Sequence, residues 1–259
     1  IVFGLQEIIN EFQYSSILAT AFALWKFPSL VLVSLFSAWS TAITGVILIF
    51  FSYKEIKNDV VDPTTTKLGL HLSFSQAFTV SSDYLDRFIV PLLLGFSSNA
   101  VYSFAILIPI QIHTFLKTIL TLSVPKITNF GYQQIKRELF YKVIHIEILV
   151  AIVVGVYILL APIIFKILYP QYSEAVLLSQ LFAVSLLYFP TNIFSLIFIK
   201  NRSTKIIYIV NIIYFLSNLL SLVVLINFLG LIGAVIAKIV VRIVYSFLQI
   251  YFFKAQFKS

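Results

Sequence analysis

The stretch SSDYLDRFIVPLLLGFSSNAVYSF, residues 81–104, places two acids, Asp83 and Asp86, and one base, Arg87, against a long apolar run. Its reading decides the fold. If a membrane span began at Phe88, the polar stretch GFSSN would fall at its centre and the apolar residues 68–82 would be stranded. If GFSSN is instead the turn between two spans, 68–94 and 99–122, both flanks are long enough to cross a bilayer. The three charges then lie inside a helix, past its middle.

The rest of the chain supports the second reading. Of its 259 residues 60% are hydrophobic and 11% are charged, and the mean hydropathy is +1.02. A soluble domain of this length needs a far more charged surface. Further spans are expected at 14–33, 35–53, 142–166, 174–199, 205–226 and 229–252, which makes about eight transmembrane helices in an all-α polytopic membrane protein. The intervening stretches alternate in charge. The loop at 52–67 carries Lys54, Lys57 and Lys67, whereas GFSSN carries no Lys or Arg. Residues 123–142 carry Lys126, Lys136, Arg137 and Lys142, and YPQYSE carries none. KNRSTK carries Lys200, Arg202 and Lys205, NFLG none, and the tail Lys254 and Lys258. Basic loops mark the cytoplasmic side, so a cytoplasmic C-terminus is expected. The organisation expected is 1–53 as the last part of a first lobe, 54–67 as a cytoplasmic inter-lobe loop and 68–259 as a second, six-helix lobe. The chain begins with Ile1 and contains no Met, which is the expectation for a fragment lacking its N-terminal part.

Ionisable residues inside spans are costly and mark function or pairing. Asp83 and Arg87 are four apart, acid first, the favourable order for a helical ion pair. Asp86 lies three residues after Asp83. Lys238 and Arg242, four apart near the middle of 229–252, have no acid in their own helix. They must meet an acid from another helix, water or an anion. Lys117 lies about two turns from a helix end, where snorkelling is an alternative. Arg87, Lys238, Arg242 and Lys117 together would give a cavity with surplus positive charge, and Arg suits phosphate because its planar fork forms two parallel hydrogen bonds. Asn192, Asn211 and Asn218 can join helices or line the cavity.

Other chemistry finds no footing. With no cysteine, disulfides, thiolate metal sites and Cys nucleophiles are excluded. His71, His113 and His145 are scattered, and no metal-ligand spacing or Gly-rich phosphate loop is present. No enzyme activity, cofactor, metal or nucleic-acid partner is expected. The net charge of +8 is accounted for by basic loops at a membrane.

The segment DRFIVPLLLGFSSNAVYSFAILIPIQIHTFLKTILTLSVPKI, residues 86–127, resembles the opening of the second lobe of Wzx-like polysaccharide flippases. These belong to the multidrug/oligosaccharidyl-lipid/polysaccharide exporter superfamily, which is MATE-like in fold. The matching positions are Asp86, Gly95, Val101-Tyr102 and Pro125; the family's usual Gly before the Tyr is missing. YPQYSEAVLLSQLFAVSLLYFPTNIF and NFLGLIGAVIAKIVVRIVYSFLQ resemble the tenth and twelfth helices of such proteins. The resemblance implies two lobes around a central cavity. It implies transfer of a polyprenyl-diphosphate-linked oligosaccharide across the bacterial cytoplasmic membrane by alternating access, for surface polysaccharides such as O-antigen. Arg87, Lys238, Arg242 and Lys117 would then bind the diphosphate, with Asp83 and Asp86 pairing with the bases or carrying a coupling proton. Membrane lipid, a polysaccharide polymerase and chain-length proteins are the partners expected. Two alternatives stand beside this reading: a Na⁺- or H⁺-coupled drug or metabolite antiporter of the same fold, and a non-transporting scaffold of a polysaccharide assembly complex.

Overall fold

A computed structural model of the chain describes residues 63–128 and 132–256, with a few isolated positions between 39 and 50. The described helices belong to one compact unit, Pro63–Ser259. Among the described residues there is no strand. The elements are α1 (Pro63–Thr128), α2 (Tyr132–Leu168), a 3₁₀ turn (Pro170–Tyr172), α3 (Ala175–Val184), a 3₁₀ segment (Ser185–Asn192), α4 (Ile193–Lys200) and α5 (Thr204–Gln256). The stretch from Ala175 to Lys200 is continuously helical, so among the described residues four apolar helical stretches are long enough to cross a membrane.

This departs from the expected eight. The spans at 14–33 and 35–53 fall outside the described residues or almost so. Four of the others merge in pairs, because α1 and α5 each contain two legs that run into one another through a single non-helical glycine. Gly95 has φ 84° and Gly230 φ 60°, left-handed values that side-chain-bearing residues rarely adopt. The legs double back there. Tyr102 Oη donates to Asp86 Oδ2 at 2.6 Å, although sixteen residues of straight helix would hold them about 24 Å apart. The rings of Tyr214 and Tyr245 lie 4.9 Å apart across the Gly230 turn in the same way. Gly95→Ala is therefore expected to destabilise the unit by about 1–3 kcal/mol, seen as a lower thermal midpoint of the full-length protein in detergent.

The first legs of α1 and α5 run parallel. Asn211 Nδ2 donates to Ser75 Oγ at 2.8 Å and Asn218 Nδ2 to Ser82 Oγ at 2.9 Å, so both partners advance by seven residues in the same direction. Seven residues are two helical turns, which keeps one seam facing the neighbour. Each amide also reaches the serine's carbonyl oxygen, Asn218 at 2.6 Å. Asn218→Ala is expected to cost about 0.6–2 kcal/mol, read by the same melting assay, with no effect on ligand binding.

Because these legs are parallel, Gly95 and Gly230 turn at one end. The third turn without Lys or Arg joins them there: Tyr169 and Tyr172 pack on Phe104, with ring centroids 5.1 and 3.8 Å away. A core including Val90, Tyr102, Phe165, Ala175, Ile226 and Val235 fills this neutral end. At the opposite end Gln256 donates to Ser203 Oγ at 2.6 Å, tying the end of α5 to the loop that carries Lys200, Arg202 and Lys205. Among the described residues, the three neutral connections thus gather at one end and the basic connection at 200–205 lies at the other.

The stretch from α3 to α4 is the centre of the bundle: 61% of its apolar length is buried, against 22–28% for the other three. The outer helices turn large apolar side chains outward, among them Phe88, Leu92, Phe96 and Phe228, each at least 70% exposed. Such a belt is what lipid solvates, and the architecture is that of an all-α membrane protein.

Candidate functional site

A cavity of about 510 Å³ opens within the bundle, in the half nearer the basic end. Its wall draws on the first legs of α1 and α5, the second legs of both, and the 3₁₀ segment with α4. Asp83 and Arg242, both in the wall, are each twelve residues from their glycine turn. They therefore sit at matching depth, about 18 Å from the neutral end by helical rise, near the middle of a hydrocarbon layer about 30 Å thick.

Each charge is held by specific neighbours. Tyr214 Oη donates to Asp83 Oδ1 at 2.8 Å. Arg242 Nη1 donates to Ser185 Oγ at 2.7 Å, and its guanidinium lies 5.3 Å from the centre of the Phe182 ring, within cation–π range. Ser185 Oγ in turn donates to the Phe182 carbonyl at 2.6 Å. Arg242 is thus anchored where α3 passes into the 3₁₀ segment. Thr191 and Ser246 hydroxyls meet at 2.8 Å, pinning the other end of that segment to the same leg of α5. A 3₁₀ stretch inside a helix is a common place for a hinge, and this one contributes Tyr188 and Phe189 to the cavity wall.

Lys117 and His113 come from the second leg of α1. Farther from Asp83 and Arg242 the wall carries Ser73, Gln76, Asn192 and Ser195 among apolar side chains such as Leu196 and Ile199, and Lys117 lies at the level of Ser73, each 22 residues from Gly95. The cavity therefore has an Asp83–Arg242 level at mid-depth and, toward the basic end, a wall of amide and hydroxyl side chains with Lys117.

Behind the cavity wall lies a second charged group. Lys238 Nζ is 3.1 Å from Asp86 Oδ1, with both side chains at most 7% exposed, and Tyr102 Oη holds the other carboxylate oxygen. Lys238 meets an acid from another helix, as a base without an acid in its own helix must. This triad faces the apolar core at the neutral end and closes that side of the bundle.

The structure thus separates the residues that the sequence placed in one site. Arg242, Lys117 and Asp83 reach the cavity wall; Lys238 and Asp86 are joined inside the packing. Arg87 belongs to neither group. It is exposed on the first leg of α1, beyond the cavity wall, with its guanidinium 4.8 Å from the centre of the Tyr84 ring. The Asp83–Arg87 pair suggested by the four-residue spacing is replaced by Tyr214 on the acid and Tyr84 on the base. Tyr214, Ser185, Gln76 and Tyr102 were not singled out in the sequence as site residues. Of the asparagines, Asn211 and Asn218 join helices, Asn211 also lines the cavity, and Asn192 lines it. Among the described residues no group of three His, Asp or Glu side chains is placed to hold a metal.

No protein-family model, curated protein or solved structure matches the chain.

Proposed function

We propose that the chain is part of a flippase that moves a polyprenyl-diphosphate-linked oligosaccharide across the bacterial cytoplasmic membrane by alternating access, the described helices forming one of its two lobes. The observation that carries this reading is the cavity: a base and an acid at mid-depth of an apolar bundle, Arg242 and Asp83, with a second base, Lys117, farther toward the basic end beside amide and hydroxyl side chains. A charged cavity inside a membrane-spanning bundle is a substrate path by default, and a net positive one favours an anion. Arg242 and Lys117 would meet the diphosphate. Ser73, Gln76, Asn192 and Ser195 offer amide and hydroxyl partners to sugar hydroxyls, and the lipid tail would stay in the bilayer. The basic end would face the cytoplasm by the positive-inside rule, which puts the cavity in the half of the bundle nearer the side where the lipid-linked sugar is made. A polysaccharide polymerase and chain-length proteins are the proposed downstream partners.

The test is to change Lys117 and Arg242 together to Gln in the full-length protein and to measure surface polysaccharide, with protein level in the membrane as the control. Loss of polymer at normal protein level is expected. Normal polymer would overturn the role of this cavity and favour the scaffold reading.

One observation favours a second reading. Asp83 presents an exposed carboxylate in the cavity, as a cation-coupled antiporter of drugs or metabolites requires. In that case Asp83→Asn abolishes transport while the Lys117/Arg242 double change is tolerated.

A further inference from the structure

Arg87 is an exposed cation in an apolar surface, and its position is hard to reconcile with lipid. It lies eight residues before the Gly95 turn, about 12 Å along the helix, close to the midplane of a bilayer about 30 Å thick. Both nearby acids are engaged elsewhere, Asp86 by Lys238 and Asp83 by Tyr214. A guanidinium facing hydrocarbon at that depth is strongly disfavoured, and the ring of Tyr84 covers only one side of it. Arg87 is also too far from a helix end to snorkel out.

Helical geometry shows what it shares a face with. At 100° per residue, Gln76, Asp83 and Arg87 fall within about 40° of one another on the first leg of α1. Gln76 and Asp83 line the cavity. Arg87 continues their stripe by one turn, about 6 Å further toward the neutral end. Phe88, one residue on, points to the apolar face and is 70% exposed. One helix therefore presents a lipid-facing side and a polar side, and the polar side extends beyond the cavity.

We propose that the face of α1 around Arg87 is lined by water and forms a second station for a phosphate-type anion, one helical turn past the Asp83–Arg242 level. This rests on the anion-transport reading and deepens it: the anion would pass from the Arg242 level to Arg87 as the path opens toward the neutral end. Arg is suited to this role because its charge persists at any relevant pH and its fork matches phosphate oxygens.

The absence of cysteine from residues 1–259 makes the test direct. Single Cys residues are placed in a cysteine-free background of the full-length protein, and membranes are treated with an anionic, water-soluble methanethiosulfonate. Arg87→Cys is expected to react within tenfold of the cavity reporter Gln76→Cys and at least tenfold faster than Phe88→Cys. Equal, slow reaction of Arg87→Cys and Phe88→Cys would overturn the water-lined face. For the anion, Tyr84→Cys is labelled with and without inorganic pyrophosphate. Slowing of at least threefold, lost in Tyr84→Cys/Arg87→Gln, is expected. No protection, or protection that persists without Arg87, would overturn the anion station. Both readouts are independent of polymer export, so their failure is distinguishable from failure of the flippase reading.

Discussion

Lys238→Met alone is expected to destabilise the helical unit by about 3–5 kcal/mol, the range found when one member of a buried ion pair is removed. The physical cause is what remains: Asp86 stays buried, held by Tyr102 but stripped of its counter-charge. Asp86→Leu should be comparably damaging, because it leaves the Lys238 ammonium in the same apolar packing. Combining Asp86→Leu with Lys238→Met removes both charges and is expected to recover most of the loss, since apolar replacements of buried pairs are often neutral or better. The measurement is thermal unfolding of the purified full-length protein in detergent for both single variants and the double. If the losses instead added, the two residues would not act as a pair.

Arg242→Gln is expected to leave stability nearly unchanged and to weaken binding of a diphosphate headgroup by roughly 10–100-fold, since a hydrogen bond to a charged group contributes about 1.5–3 kcal/mol. Arg242→Lys should fall between, keeping the charge and losing the two-pronged contact. Ser185→Ala is the informative comparison. It releases the 2.7 Å hold on the guanidinium without touching charge, so affinity should stay within about threefold of the unchanged protein. Titration of the purified protein with a polyprenyl diphosphate checks all three. Equal weakening by Ser185→Ala and Arg242→Gln would mean that the anchor, and not the cation, is what the ligand needs.

Much of the helical layout was legible because it follows from hydropathy and loop charge. The turns at GFSSN, YPQYSE and NFLG were readable as the stretches without Lys or Arg, and they gather at one end of the unit. Helix count was less legible. Gly95 and Gly230 reverse the chain through one residue, so four expected spans appear as two elements broken at a glycine. Within the site, Arg242 was readable as a base without an acid in its own helix, and Lys117 as a base about two turns from a helix end. Lys238 carries the same sequence signal as Arg242, yet the two diverge, because four residues advance the helix by more than a full turn and the neighbouring helices differ at each level. No local pattern tells which base faces Asp86 and which faces water. The partners Tyr214 and Ser185 were invisible for a related reason: their hydroxyls matter only through contacts 131 and 57 residues away. The paired spacing of Ser75 with Ser82 and of Asn211 with Asn218 was the one sequence signal, unused, for the parallel packing of two legs.

The central claim is that this cavity takes an anionic, diphosphate-bearing headgroup. The most direct measurement is competition on the purified full-length protein between a polyprenyl diphosphate and a lipophilic cation. The diphosphate is expected to bind, Lys117→Gln/Arg242→Gln to remove that binding, and the cation not to displace it. Binding of the cation alone, abolished by Asp83→Asn, would contradict the account and make the cavity that of a cation-coupled exporter.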